Sequence, residues 1–183
     1  MKNFYKEIFD EINNILNQTD FVSLEKISKS LISINKKNKK VIILGNGGSA
    51  AIASHVSVDL TKNAGIRSIN FNEADLLTCF SNDYGYKKVF SKSLDFYADK
   101  GDVVIIISSS GKSKNLIEAA KFCKRKKILL YTFTGMSKSN PLKKMGNINL
   151  WVNSRAYNII ENIHQIWLLS IVDKIIGKTE YSA

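Results

Sequence analysis

The chain has 183 residues, 44% of them hydrophobic, enough for one domain with a sizeable core. Its net charge is +11, yet only Arg67, Arg125 and Arg155 among 27 basic residues carry the planar fork that reads bases and phosphates, so nucleic acid is not an expected partner. No apolar run reaches membrane-spanning length and residues 1–7 lack a signal peptide's hydrophobic segment, which predicts a cytoplasmic protein with no membrane contact.

Phe4, Ile8, Ile12, Ile15 and Leu16 recur at helical spacing, and Leu24, Ile27, Leu31 and Ile34 repeat the pattern after the Thr19-Asp20 break. Two amphipathic helices are therefore expected in an N-terminal segment, residues 1–38. From residue 39 to 183 strands and helices alternate: strand 41–44, helix 50–63, a short strand near 68–71, helices 75–81 and 89–97, strand 103–107, helix 115–124, strands 128–132 and 148–152, and helix 159–176. Alternation of this kind predicts an α/β three-layer sandwich, a central parallel sheet covered on both faces, with ligands at the strand C-terminal ends. Pro141, the only proline, falls in the polar loop 137–144 and marks no boundary, so residues 1–183 read as a single domain. Cys79 and Cys123, isolated beside apolar residues, read as reduced core thiols. The last helix, with Trp167, Leu168, Leu169 and Ile171, is apolar over most of its circumference, and with the N-terminal helices it predicts a homo-oligomer.

Two junctions carry chemistry. Strand 41–44 runs into Gly45-Asn46-Gly47-Gly48-Ser49 and then a helix, where glycines admit an anion to free backbone N–H groups at the positive helix end. Taken alone, such a loop is also a tight structural turn. Strand 103–107 repeats the logic with Ser108-Ser109-Ser110-Gly111-Lys112-Ser113, four hydroxyls within six residues, more than a turn needs. Neither loop has the ending of an ATPase P-loop or the full dinucleotide fingerprint. His55 and Asp59, four apart, lie on one face of the helix that follows the first loop, where they can share a proton or a metal.

The glycine motif followed by His55, then Ser81-Asn82-Asp83-Tyr84-Gly85-Tyr86 with Val89-Phe90-Ser91, then the serine loop, together make nearly the whole chain resemble the sugar-isomerase (SIS) domain family, flavodoxin-like in fold. Within that family it is similar to the sedoheptulose 7-phosphate isomerases, also called phosphoheptose isomerases. The resemblance implies aldose–ketose isomerisation of sedoheptulose 7-phosphate to D-glycero-D-manno-heptose 7-phosphate through a cis-enediol, for heptose or surface-polysaccharide synthesis. It implies substrate and phosphate contacts from Asn46, Gly47, Gly48, Ser49, Asp83, Ser108, Ser109, Ser110 and Ser113, and a tetramer of two-fold pairs with active sites between subunits. By position Asp59 is the implied base, with His55, Glu161 or His164 as the partner acid.

Zinc-dependent members of the family hold the ion with a His and a Glu from the first of these helices and a Gln and a His, eight apart, from the last. Here those positions are His55, Asp59, Glu161 and Leu169, and Asn158 stands where the family often has aspartate. The resemblance thus leaves a three-ligand set of His55, Asp59 and Glu161 for zinc or another divalent ion, with His164 on a different helical turn, or a site without metal. The alternative is a non-catalytic SIS module that binds a sugar phosphate or a protein partner, as replication-initiator-associating members do. Loss of the second histidine favours that alternative, and retention of His55, Asp83 and the serine loop disfavours it.

Overall fold

The computed structural model describes residues 3–180. Its helices are α1 (Phe4–Asn17), α2 (Phe21–Asn35), α3 (Gly48–Lys62), α4 (Ala74–Tyr84), α5 (Val89–Tyr97), α6 (Lys114–Lys126) and α7 (Tyr157–Ile176), and its strands are β1 (Val41–Leu44), β2 (Ser68–Asn70), β3 (Val103–Ser108), β4 (Leu129–Thr134) and β5 (Ile148–Trp151). The Thr19-Asp20 break works as a cap: Asp20 Oδ1 accepts from Ser23 N at 3.0 Å, and Thr19 Oγ1 accepts from Trp167 Nε1 at 2.9 Å, which ties the α1–α2 corner to α7.

The strands pair in parallel in the order β2-β1-β3-β4-β5. Their side chains alternate between two cores. Val41, Ile43, Val103, Ile105 and Ile107 pack with α2, α3 and α7, while Ile42, Leu44, Val104 and Ile106 pack with α5 and α6. Burial on both faces is why these strands read as unbroken apolar runs. Chain order reverses between β1 and β3, so the loops that leave them diverge and open a crevice at their C-terminal ends. At the opposite ends of the same two strands, buried Asp102 accepts from Lys40 N at 3.0 Å and from Asp99 N at 2.8 Å, and Lys40 Nζ lies 2.7 Å from its carboxylate. That pairing fixes the register of β1 and β3 away from the crevice.

Several sequence expectations need correction. α3 starts at Gly48 instead of residue 50, which puts Gly48 and Ser49 inside its first turn, and α4 runs on to Tyr84, so Asp83 is helical. Loop 137–144 ends in a short 3-10 turn that buries Leu142. α7, expected to be apolar over most of its circumference, buries one stripe of Ile159, Ile160, Ile163, His164, Trp167, Leu168, Ile171 and Val172 in this chain's own core, while Ile166 stays exposed. The large exposed apolar surface lies instead on α1, where Phe4, Tyr5 and Phe9 are 64–70% exposed. Cys79 is exposed, because α4 turns Leu76, Leu77 and Phe80 toward the core; Cys123 is buried, and burial pushes its thiol up to about 12. No helix among the described residues is long and apolar enough to cross a membrane.

Candidate active site

The loop after β3 and the start of α6 enclose a cavity of about 130 Å³ lined by Asn46, Ser49, Ser108, Ser109, Ser110 and Ser113, with Tyr157 and Glu161 on the far side. Ser108 Oγ accepts from Gly111 N and Ser110 Oγ from Lys112 N, each at 3.2 Å, so both hydroxyls shape the loop and keep their protons for a ligand. Ser109 Oγ is buried and finds no hydrogen-bond partner among the described residues, and the Ser113 side chain makes no cap bond to α6. Unpaired hydroxyls beside a helix N-terminus form a site for a phosphate-sized anion.

The start of α3 is used differently. The Glu161 carboxylate lies against Gly48, and a Cβ added there would fall 2.8 Å from the Glu161 carboxyl carbon. Any side chain there requires the Glu161 carboxylate to move. Gly48 and Glu161 line a second cavity of about 420 Å³ with Ala51, Ile52, His55, Asn158, Asn162 and Gln165. Glu161 borders both cavities. Gly47 and Gly48, expected to hold phosphate, lie outside the lining of the serine-loop cavity, and Gly48 faces the Glu161 carboxylate instead.

His55 is half exposed. Its Nε2 is 3.4 Å from Asp59 Oδ2, and Gln165 Nε2 is 3.5 Å from its Nδ1. Asp59 Oδ1 accepts from Asn63 Nδ2 at 3.1 Å, and the carboxylate stands behind His55, outside both cavity linings. Asp59, expected as the base, thus pairs with His55 and Asn63 and lines neither cavity. His164, a candidate acid and substitute ligand, is fully buried. Its Nε2 donates to the Thr134 carbonyl at 3.1 Å, its ring packs edge-on against Phe133, and burial depresses its pKa to about 4. It lies on α7's apolar stripe, one turn-face away from Glu161, and cannot serve the cavity. Asp83 is exposed at the end of α4, where it accepts from Asn82 Nδ2 at 3.0 Å, and is not brought to either cavity.

The expected metal set of His55, Asp59 and Glu161 is not assembled. Among the described residues no three His, Cys, Asp or Glu side chains are grouped so as to hold a metal ion. Glu161 lies against Gly48 and Asp59 pairs with Asn63, while Leu169 packs against the core. The donors present do not fit zinc.

Three polar residues that sequence reasoning passed over complete the site. Gln165 follows Glu161 at i+4 on the polar stripe of α7, a spacing visible in the sequence. Asn115 pairs its amide with that of Asn46, and the Tyr86 hydroxyl donates to Asn46 Oδ1.

The SIS domain family matches residues 3–135 of this chain. Among curated proteins, the phosphoheptose isomerase of Sulfurimonas denitrificans is 35% identical over 179 residues, covering 94% of this chain and 88% of that one. The phosphoheptose isomerase of Buchnera aphidicola subsp. Acyrthosiphon pisum is 32% identical over 189 residues, 96% and 97% of the two chains. Among solved structures, the phosphoheptose isomerase from Neisseria gonorrhoeae superposes with a TM-score of 0.86 at 25% identity, covering 93% of this chain and 94% of that one.

Proposed function

The chain belongs to the SIS-domain family and, within it, to the phosphoheptose isomerases, and we propose that it interconverts sedoheptulose 7-phosphate and D-glycero-D-manno-heptose 7-phosphate. The observation that carries the mechanism is the position of Glu161, the carboxylate that borders both the serine-loop cavity and the His55 cavity.

In this reading Ser109, Ser110 and Ser113 hold the phosphate, and the open sugar chain runs past Glu161 toward His55. Glu161 takes a proton from C1 of the ketose, the C1–C2 cis-enediol forms, and the same carboxylate returns the proton to C2. His55 carries the O1 hydroxyl proton to O2, oriented by Asp59 and Gln165. No net oxidant or reductant is needed, because the carbonyl moves from C2 to C1 within one molecule. Anchoring at the phosphate end turns binding energy into placement of the reacting carbons. No step passes through a metal.

Two further parts belong to the same reading. The exposed aromatic face of α1, with Phe21 and Val22 at the start of α2, supports a homo-oligomer, a tetramer by the family's precedent. Two free thiols support a cytoplasmic setting, in which the product feeds surface-polysaccharide synthesis. The test of function is incubation with sedoheptulose 7-phosphate followed by NMR. Appearance of the aldose heptose phosphate supports the enzyme; tight binding without aldose would mark a non-catalytic sugar-phosphate module.

A further inference from the structure

Asn46 lines the serine-loop cavity, and three hydrogen bonds dictate what it can offer there. The chain of reasoning starts at a group with no choice: the backbone N–H of Leu116 can only donate, and it donates to Asn115 Oδ1 at 2.9 Å. Asn115 is therefore fixed with its oxygen toward the α6 backbone. Its Nδ2 then donates to Asn46 Oδ1 at 2.9 Å, and Asn46 Nδ2 donates back to Asn115 Oδ1 at 3.0 Å, a closed pair of amides. The Tyr86 hydroxyl donates to the same Asn46 Oδ1 at 3.0 Å. Both acceptor positions of Asn46 are now filled, and one Nδ2 proton is spent. What remains is a single N–H donor.

We propose that Tyr86 is a positioning residue that locks Asn46 as a donor-only contact for an anionic oxygen of the substrate. The assignment gives a role to the second sequence motif, which otherwise stands outside both cavities. α4 ends at Gly85, whose φ of +77° is open to glycine and strained for other residues, and this turn puts Tyr86 at the head of the following 3-10 turn, from which its ring reaches across to the β1 loop. An asparagine held only by Asn115 would keep a free lone pair directed at a phosphate. With Tyr86 in place, the oxygen is masked and the cavity presents donors alone.

The inference rests on the phosphate-binding part of the proposed function, and its test does not require turnover. Calorimetry with inorganic phosphate and with sedoheptulose 7-phosphate is run on wild type, Tyr86→Phe, Asn46→Ala and the double variant, alongside steady-state kinetics. Tyr86→Phe is expected to weaken both ligands about three- to tenfold, to raise KM by the same factor with kcat within about twofold, and to leave the thermal midpoint unchanged, since the ring is exposed. In the Asn46→Ala background the Tyr86→Phe change is expected to add nothing. Unchanged ligand affinity in Tyr86→Phe, or an effect that persists in full without Asn46, would overturn the inference. Failure of wild type to isomerise the sugar while Tyr86→Phe still weakens phosphate would sink the isomerase reading and leave this one standing.

Discussion

Two strand–loop–helix junctions in this chain look alike in sequence and are used in opposite ways. β1 and β3 both end in small residues at a helix start, yet the start of α6 faces the cavity ringed by serine hydroxyls, while Gly48 at the start of α3 lies against the Glu161 carboxylate. A helix N-terminus attracts anions, and at α6 the serine loop leaves that end open to a ligand. In the proposed reading the serine loop after β3, joined by Asn46 and Ser49 from the β1 junction, anchors phosphate, while Gly48 in that same β1 junction seats the carboxylate that meets the reacting end of the sugar.

The sharpest way to break this comparison is to neutralise the carboxylate. Glu161→Gln keeps the shape and removes the base, so kcat is expected to fall about 10²-fold or more with substrate affinity retained. Asp59→Asn is expected to cost less, since Asp59 acts only through His55. Next comes Gly48→Ala, which displaces the Glu161 carboxylate and is expected to lower kcat roughly tenfold to a hundredfold, with a smaller change in phosphate affinity because Gly48 itself is outside the serine cavity. Equal losses of binding and turnover in that variant would mean the two junctions are not separate.

A third prediction tests the neighbouring stripe of α7. His164 is neutral when folded, with a pKa near 4 against about 6.5 unfolded, so its contribution is intact above pH 6.5 and is lost as pH falls toward 4. The sign follows because the unfolded chain binds the proton more readily. Stability is expected to drop by roughly 2 kcal/mol between pH 7 and pH 5 from this residue, and His164→Gln should flatten that part of the pH profile in thermal melts. At the phosphate end, Ser110→Ala and Ser113→Ala are each expected to weaken substrate binding about tenfold, near 1.5 kcal/mol, without a matching fall in kcat. The smallest effect is expected from chelation: dialysis against EDTA should leave activity unchanged, and a loss restored by zinc would show that a metal site forms in the assembled protein.

What the sequence revealed depended on distance along the chain. The strands, the serine loop and the glycine loop are local patterns, set by apolar runs and small residues in series, and they were legible. Even within α7 the stripes were readable: Ile160, Ile163, Trp167 and Leu168 mark an apolar face that includes His164, while Asn158, Glu161, Asn162 and Gln165 mark a polar one. Keeping His164 beside Glu161 as a candidate acid, as the family resemblance implied, passed over that boundary. The seating of Glu161 on Gly48 and the reach of Tyr86 to Asn46 depend on how α7 and the α4–α5 turn pack on β1, and periodicity carries no record of that. Asp59 was credited as base by its place in a motif, although only packing could show that Asn63 and His55 hold it behind the cavity.

The most direct measurement of the central claim is solvent exchange at the substrate carbon. Sedoheptulose 7-phosphate is incubated in deuterated water with wild type, Glu161→Gln and Asp59→Asn, and loss of the C1 proton signal is followed by NMR alongside calorimetric binding. The account predicts rapid deuterium uptake with wild type, slower but measurable uptake with Asp59→Asn, and uptake about 10² times slower or worse with Glu161→Gln despite normal binding. Wild-type exchange rates in Glu161→Gln, together with loss of exchange in Asp59→Asn, would contradict it and return the base to the helix that carries His55.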